Sequence, residues 1–147
     1  MSVQNSRLLL VNGLVLGAVA LVQMNLDVLG YFTGFGVTGP ALFGNHDTIA
    51  YTEAHGLAAI LSLLFILRRR DGWVGWHATA ATMHLLLGTC NIIYWPIFTT
   101  TGLVPMGIVA TAMHAVFFAL QVRAFVRARS LDPQPPDHTN QNGHRRT

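Results

Sequence analysis

The sequence predicts an all-α membrane protein: a four-transmembrane-helix up-down bundle with N and C termini both cytoplasmic. Three observations predict it. The 147-residue chain is 52% hydrophobic and only 10% charged, against about 25% charged residues in a soluble domain. Four apolar stretches, about residues 8–32, 47–67, 73–98 and 103–126, are each long enough to cross a hydrocarbon core of about 30 Å at 1.5 Å per residue. All nine basic residues are arginine, at stretch ends or in the tail. Arg7, the Arg68–Arg70 run and the group Arg123, Arg127 and Arg129 mark the N-terminus, the second loop and the C-terminus, whereas the first and third loops carry no basic residue. The positive-inside rule therefore puts both termini in the cytoplasm, and an even number of spans agrees.

The first stretch begins like a signal peptide, with Arg7, an apolar run and the small triplet Ala18-Val19-Ala20. The run continues to Tyr31 and Phe32, so it reads as a retained membrane helix. Asn12, Gln23, Asp27 and Gly30 share one of its faces. Gly13 and Gly17 form a small-xxx-small pair that permits close helix approach, with tight packing as the favoured reading. Residues 33–46 are a glycine-rich loop with Pro40 and several apolar side chains. Such a loop is expected to fold back over the bundle mouth. Asn45 and Asp47 are natural N-caps for the second stretch.

In the second stretch Asp47, Tyr51, His55 and Ser62 share a face, and Glu53 lies almost opposite His55. The third stretch carries His77, His84 and Asn91 at seven-residue spacing. Seven residues is almost two helical turns, so the three fall on one stripe with Ala81, Gly88 and Trp95. Leu85, Leu86, Leu87, Ile92 and Ile93 occupy the opposite face. Trp73 and Trp76 at one end, Tyr94 and Trp95 at the other, form aromatic belts, and Pro96 helps to end the helix. In the fourth stretch Pro105 suits a first turn, and Gly107, Thr111, His114, Phe118, Gln121 and Phe125 form one broad stripe. Short connections make stretches two, three and four antiparallel neighbours. Residues 130–147 contain three prolines and no apolar run, the composition of a disordered cytoplasmic tail.

Counted from the outer helix ends, His55 lies roughly 12 Å, His114 roughly 16 Å and His84 roughly 20 Å deep. The three imidazoles are therefore expected in one slab, with Asn91, Gln23 and Asp27 approaching from outside and Asn12, His77 and Gln121 nearer the cytoplasm. Ionisable groups within a bilayer are costly and normally face the bundle interior.

Four readings of that interior compete. The polar groups could fix helix packing, as in a structural or assembly subunit of a larger membrane complex. They could hold an apolar redox cofactor. Haem b needs one or two axial imidazoles with apolar walls, here Met83, Met113, Phe117 and Phe118. A quinone needs a histidine hydrogen bond. They could bind a transition metal through His55, His84 and His114, with Asp27 or Glu53 as a further ligand or support. They could relay protons or pass a small solute, since histidine titrates near pH 6.5. The favoured reading is a cofactor site of His84, His114, His55, Asn91 and Asp27, with haem or quinone ahead of a metal.

Other classes are excluded by what is missing. Without CxxCH there is no motif for covalent haem. Without GxSxG or a dinucleotide fingerprint, neither hydrolysis nor nucleotide binding is supported. Dispersed arginines form no nucleic-acid patch. The lone Cys90 allows no internal disulfide. No catalytic motif supports activity of the isolated chain. The expected partners are the lipid bilayer and a homo-oligomer or larger complex. The layout resembles small four-span bacterial membrane proteins, which implies a multi-pass protein of the inner (plasma) membrane.

Overall fold

A computed structural model describes residues 3–71 and 73–130, with side chains from Ser6 onward. Four long helices carry the fold: α1 (Val3–Thr33), α3 (Thr48–Arg68), α4 (Gly75–Ile93) and α6 (Val104–Ser130). Two short ones, α2 (Gly39–Leu42) and α5 (Trp95–Thr100), lie in the connections at the end of the bundle away from Val3 and Ser130, called outer below as the sequence predicts. No strand occurs among the described residues. Residues 131–147 of the expected tail lie outside the described residues, and Ser130 ends α6.

Among the described residues, three helices are long and apolar enough to cross a membrane: Ser6–Thr33, Thr48–Arg68 and Val104–Ser130. The chain is thus a multi-pass membrane protein by length and composition. At 19 residues α4 has the length, but His77, His84 and Asn91 lower its hydropathy. Those groups are also why α4 turns inward. His77 is fully buried and His84 keeps 1% of its surface.

The interior is unusually polar. Asn12, Asp27, Thr48, Ser62, His77, His84, His114 and Gln121 are all buried. Outside lie Leu14, Val22, Leu57, Ile60, Leu86, Val109 and Val116. Apolar surface on this scale marks contact with lipid.

The helices pack as two intimate pairs, α1 with α3 and α4 with α6. Glycines set the first pair. A Cβ on Gly13 would lie 2.7 Å from both the Ser62 carbonyl oxygen and Ile66 Cγ1, and one on Gly17 would lie 3.2 Å from Ser62 Cβ. Only a residue without a side chain lets α1 and α3 approach this closely. The second pair closes over Gly88, where a Cβ would meet His114 Cβ at 3.3 Å. Between the pairs, Leu9 and Leu16 of α1, Phe65 of α3, and Ala80 and Met83 of α4 form an apolar core. Sequential stretches α3 and α4, expected as close neighbours, touch only narrowly; Phe65 meets Trp76 there with ring centroids 6.4 Å apart.

Some boundaries differ from expectation. The third stretch breaks at Tyr94, and the segment after it forms the separate α5. Pro96, at the start of α5, has no N–H to continue the α4 ladder. Asp47 stands at the N-cap of α3 without a side-chain cap bond. Instead Asn45 Oδ1 accepts from the Asp47 N–H at 3.0 Å, a local turn that competes with capping. The first loop does fold back. α1 stops at Gly34, whose φ of 69° suits glycine, and Leu42 of α2 packs under Gly30.

Candidate functional site

The register of α4 against α6 builds the site. The helices are antiparallel, so a heptad step forward on one matches a heptad step back on the other. His84 sits opposite His114, and their Nδ1 atoms are 3.0 Å apart. One heptad inward, His77 sits opposite Gln121, and His77 Nδ1 donates to Gln121 Oε1 at 2.6 Å. The same register sets Asn91 opposite Gly107 one heptad outward. Gly107 has no side chain to answer it and lies beneath the Phe98 ring of α5. Asn91 is half-buried and makes no side-chain hydrogen bond among the described residues. The rungs are about 10 Å apart at the helical rise.

α1 completes the middle rung. His84 Nε2 donates to Asn12 Oδ1 at 2.7 Å. His84 thus has both ring nitrogens engaged, one toward each helix pair. The neutral tautomer follows. With the proton on Nε2, His84 Nδ1 carries a lone pair, so His114 Nδ1–H is the donor between the two rings. Phe117 stacks on His84 at 5.2 Å between centroids and 14° between planes. Met83 is buried in the apolar core, while Met113 and Phe118 are half-buried.

His55 stands elsewhere. Its Nδ1 donates to Asp27 Oδ2 at 2.6 Å, pairing α3 with α1. Asp27 is fifteen residues from Asn12 on α1, about 22 Å along the axis. The expected common slab therefore holds His84 and His114 without His55. Depths counted from helix ends assume that the ends are level, and here they are not. Gln23 of α1 meets Met106, in the first turn of α6, and α1 continues outward to Thr33. Glu53 is exposed on α3, apart from both histidine groups. Among the described residues no group of three or more His, Cys, Asp or Glu side chains is placed to hold a metal ion.

Sequence reasoning missed Asn12 as the partner of His84 and placed it nearer the cytoplasm. The signal was depth. Asn12 lies nine residues inside α1, counted from Val3, and His84 nine residues inside α4, counted from Gly75. Starting α1 near residue 8 hid the match.

Four buried polar atoms have no partner among the described residues: Asn12 Nδ2, His77 Nε2, Gln121 Nε2 and Thr111 Oγ1. A buried unpartnered polar group costs about 1–3 kcal/mol. The His77–Gln121 rung carries two of them, so packing alone does not account for it. Gln121→Leu is expected to lower stability by about 1–3 kcal/mol, because it leaves the His77 N–H unpartnered as well. Adding His77→Leu should recover most of that loss. Reversible unfolding in mixed detergent micelles checks both. A double variant as unstable as the single one would show that the fold needs the rung.

No known protein family matches the chain, and no curated protein or solved structure is significantly similar to it. The chemistry of the site is therefore read from its own geometry.

Proposed function

We propose that the chain crosses the bacterial inner (plasma) membrane four times with both termini cytoplasmic, and that its His-lined interior holds an apolar cofactor by hydrogen bonding rather than by metal ligation. The arginine distribution supports the topology. α4 is the fourth span, made tolerable in lipid because its polar stripe is buried against α6 and α1. One observation carries the cofactor mode: His84 spends one nitrogen on His114 and the other on Asn12. A ring so engaged orients its neighbour and has no lone pair left for a metal.

The candidates rank accordingly. A haem held between two imidazoles needs iron between two ring nitrogens, whereas the His84 and His114 nitrogens bond each other directly. Haem b would rest on His114 alone. A transition metal would need His55 and Glu53 brought to a pair from which they stand apart. A quinone needs only a hydrogen bond and an apolar, aromatic wall, and Phe117 and Phe118 supply the wall. Proton or small-solute conduction is less well supported, because buried Leu16 and Ala20 separate Gln23 from Asn12 along α1.

A second reading has its own support. The His84–Asn12 bond joins the two helix pairs, which would also suit a structural or assembly subunit, as a homo-oligomer or within a larger complex. There the polar groups only fix the bundle.

A reporter fused after Thr147 is expected to be active only if it works in the cytoplasm; exterior activity would end the four-span topology. Protein purified in mild detergent is expected to yield an apolar compound on solvent extraction, retained in wild type and lost in His114→Ala. If no compound is found, and His84→Ala and His114→Ala each cost only the ~1 kcal/mol or less typical of interhelical hydrogen bonds in membranes, the packing role holds instead.

A further inference from the structure

His114 differs from the other buried imidazoles. Its Nδ1 faces His84, but its Nε2 has no hydrogen-bond partner among the described residues, and the residue keeps 7% of its surface. Almost one turn outward on the same face of α6, Thr111 Oγ1 is enclosed and unpartnered. Three other helix hydroxyls behave differently. Those of Thr52, Ser62 and Thr79 donate to the carbonyl four residues earlier, at 3.1, 2.6 and 3.0 Å. Of these two neighbouring groups on α6, the Thr111 hydroxyl is buried without a protein partner, which is costly in an apolar environment, and His114 Nε2 lacks a protein partner without being fully enclosed.

The chain behind His114 can run in either direction. In one arrangement His84 Nε2–H donates to Asn12 Oδ1, His114 Nδ1–H donates to His84 Nδ1, and His114 Nε2 presents a lone pair. A half-turn of the Asn12 amide exchanges its oxygen and nitrogen with little change of shape. Asn12 Nδ2 then donates to His84 Nε2, His84 Nδ1–H donates to His114 Nδ1, and His114 Nε2 presents an N–H. Passing from the first to the second, His84 Nε2 gives its proton to the aqueous phase, the shared proton moves from His114 Nδ1 to His84 Nδ1, and His114 Nε2 takes a proton up from the aqueous phase, so both imidazoles stay neutral with two ring protons in all. In the first, Asn12 Nδ2 has no partner, which is the orphan observed. In the second, one lone-pair oxygen is left over instead. The ends are nearly equivalent, so His114 Nε2 can be an acceptor or a donor at one point in space.

A ligand suited to such an atom exists in two forms, one bearing a carbonyl and one a hydroxyl at the same position. We propose that His114 Nε2, with the Thr111 hydroxyl beside it, binds an oxygen of a lipophilic quinone in both its oxidised and its reduced form. This inference deepens the cofactor-site reading above and rests on it. The quinone carbonyl accepts from Nε2–H, and the hydroquinone hydroxyl donates to the Nε2 lone pair. The aromatic side chains of Phe117 and Phe118 lie within the next turn of α6, where a ring would stack. Single-polarity sites discriminate sharply, because the wrong form leaves a buried group unpaired. A reversible chain removes that discrimination.

The full chain in mild detergent is titrated calorimetrically with a short-chain benzoquinone and, under anaerobic conditions, with the corresponding hydroquinone. Both forms are expected to bind, with affinities within about tenfold of each other, since each keeps one hydrogen bond to Nε2. His114→Phe is expected to weaken both by about tenfold or more. The near-isosteric Thr111→Val, which leaves the histidines in place, should weaken both several-fold. Thr79→Val, whose hydroxyl already has its partner, should change neither. Binding of one form only would overturn the reversible chain and with it the proposal. So would wild-type affinity in both His114→Phe and Thr111→Val. Recovery of a different apolar compound that depends on His114 would overturn the quinone assignment and keep the cofactor-site reading. A protein with neither bound compound nor measurable affinity would overturn both.

Discussion

Inside hydrocarbon there is no water to satisfy a polar side chain, so each one must find a partner within the bundle. His84 is where that constraint is tightest. It lies between the two helix pairs and bonds to both, through His114 on α6 and Asn12 on α1. The apolar core beside it, Leu9, Leu16, Phe65, Ala80 and Met83, is small. Exposed leucines, isoleucines and valines gain nothing from packing together in lipid, which is as apolar as they are. What joins the pairs is this small core, with directional polar contact at its centre.

Close packing makes that contact possible. Gly88 lets α4 approach His114, and Gly13 and Gly17 let α1 lie along α3. Asn12 neighbours Gly13 in sequence, so the residue that fixes α1 against α3 stands beside the one that reaches across to α4. The Asp27–His55 pair ties the same two helices near their outer end. Its side chains are 6% and 33% exposed, so the carboxylate is shielded while part of the imidazole stays open. The arginines at the C-terminal end of α3 do ordinary work. Arg69 donates to the Ile66 carbonyl and closes α3, and Arg68 pairs with Asp71 at 3.3 Å on the surface, a contact of little energetic weight.

Much of the fold was legible because membrane solvation writes it in simple terms. Long apolar runs and the heptad of His77, His84 and Asn91 identify helices and their inward faces without tertiary information. The His84–His114 meeting was legible too, since both lie at similar distances from a short outer connection. What escaped depends on how helix ends align. α1 begins at Val3 and runs past the start of α6, so Asn12 rises to the level of His84 and His55 moves away from it. Residue counting within each stretch gives depth relative to that stretch alone. Relative sliding of helices is set by side-chain fit, by Gly13 against Ser62 or Gly88 against His114, and that fit is not written in any one segment. The orphan atoms were equally out of reach, because an unpartnered nitrogen is a property of three helices at once.

The shared hydrogen bond between the two imidazoles can be observed directly. Solid-state nitrogen NMR of histidine-labelled protein in lipid bilayers resolves protonated from unprotonated ring nitrogens and detects coupling across an N–H···N bond. The expected spectrum at neutral pH has two neutral imidazoles joined through their Nδ1 atoms, with His84 Nε2 hydrogen-bonded and His114 Nε2 changing its protonation when the Asn12 amide turns. Two imidazoles with no coupling between them, each titrating freely with bulk pH, would contradict the buried clasp on which the packing of the two helix pairs and the proposed site both depend.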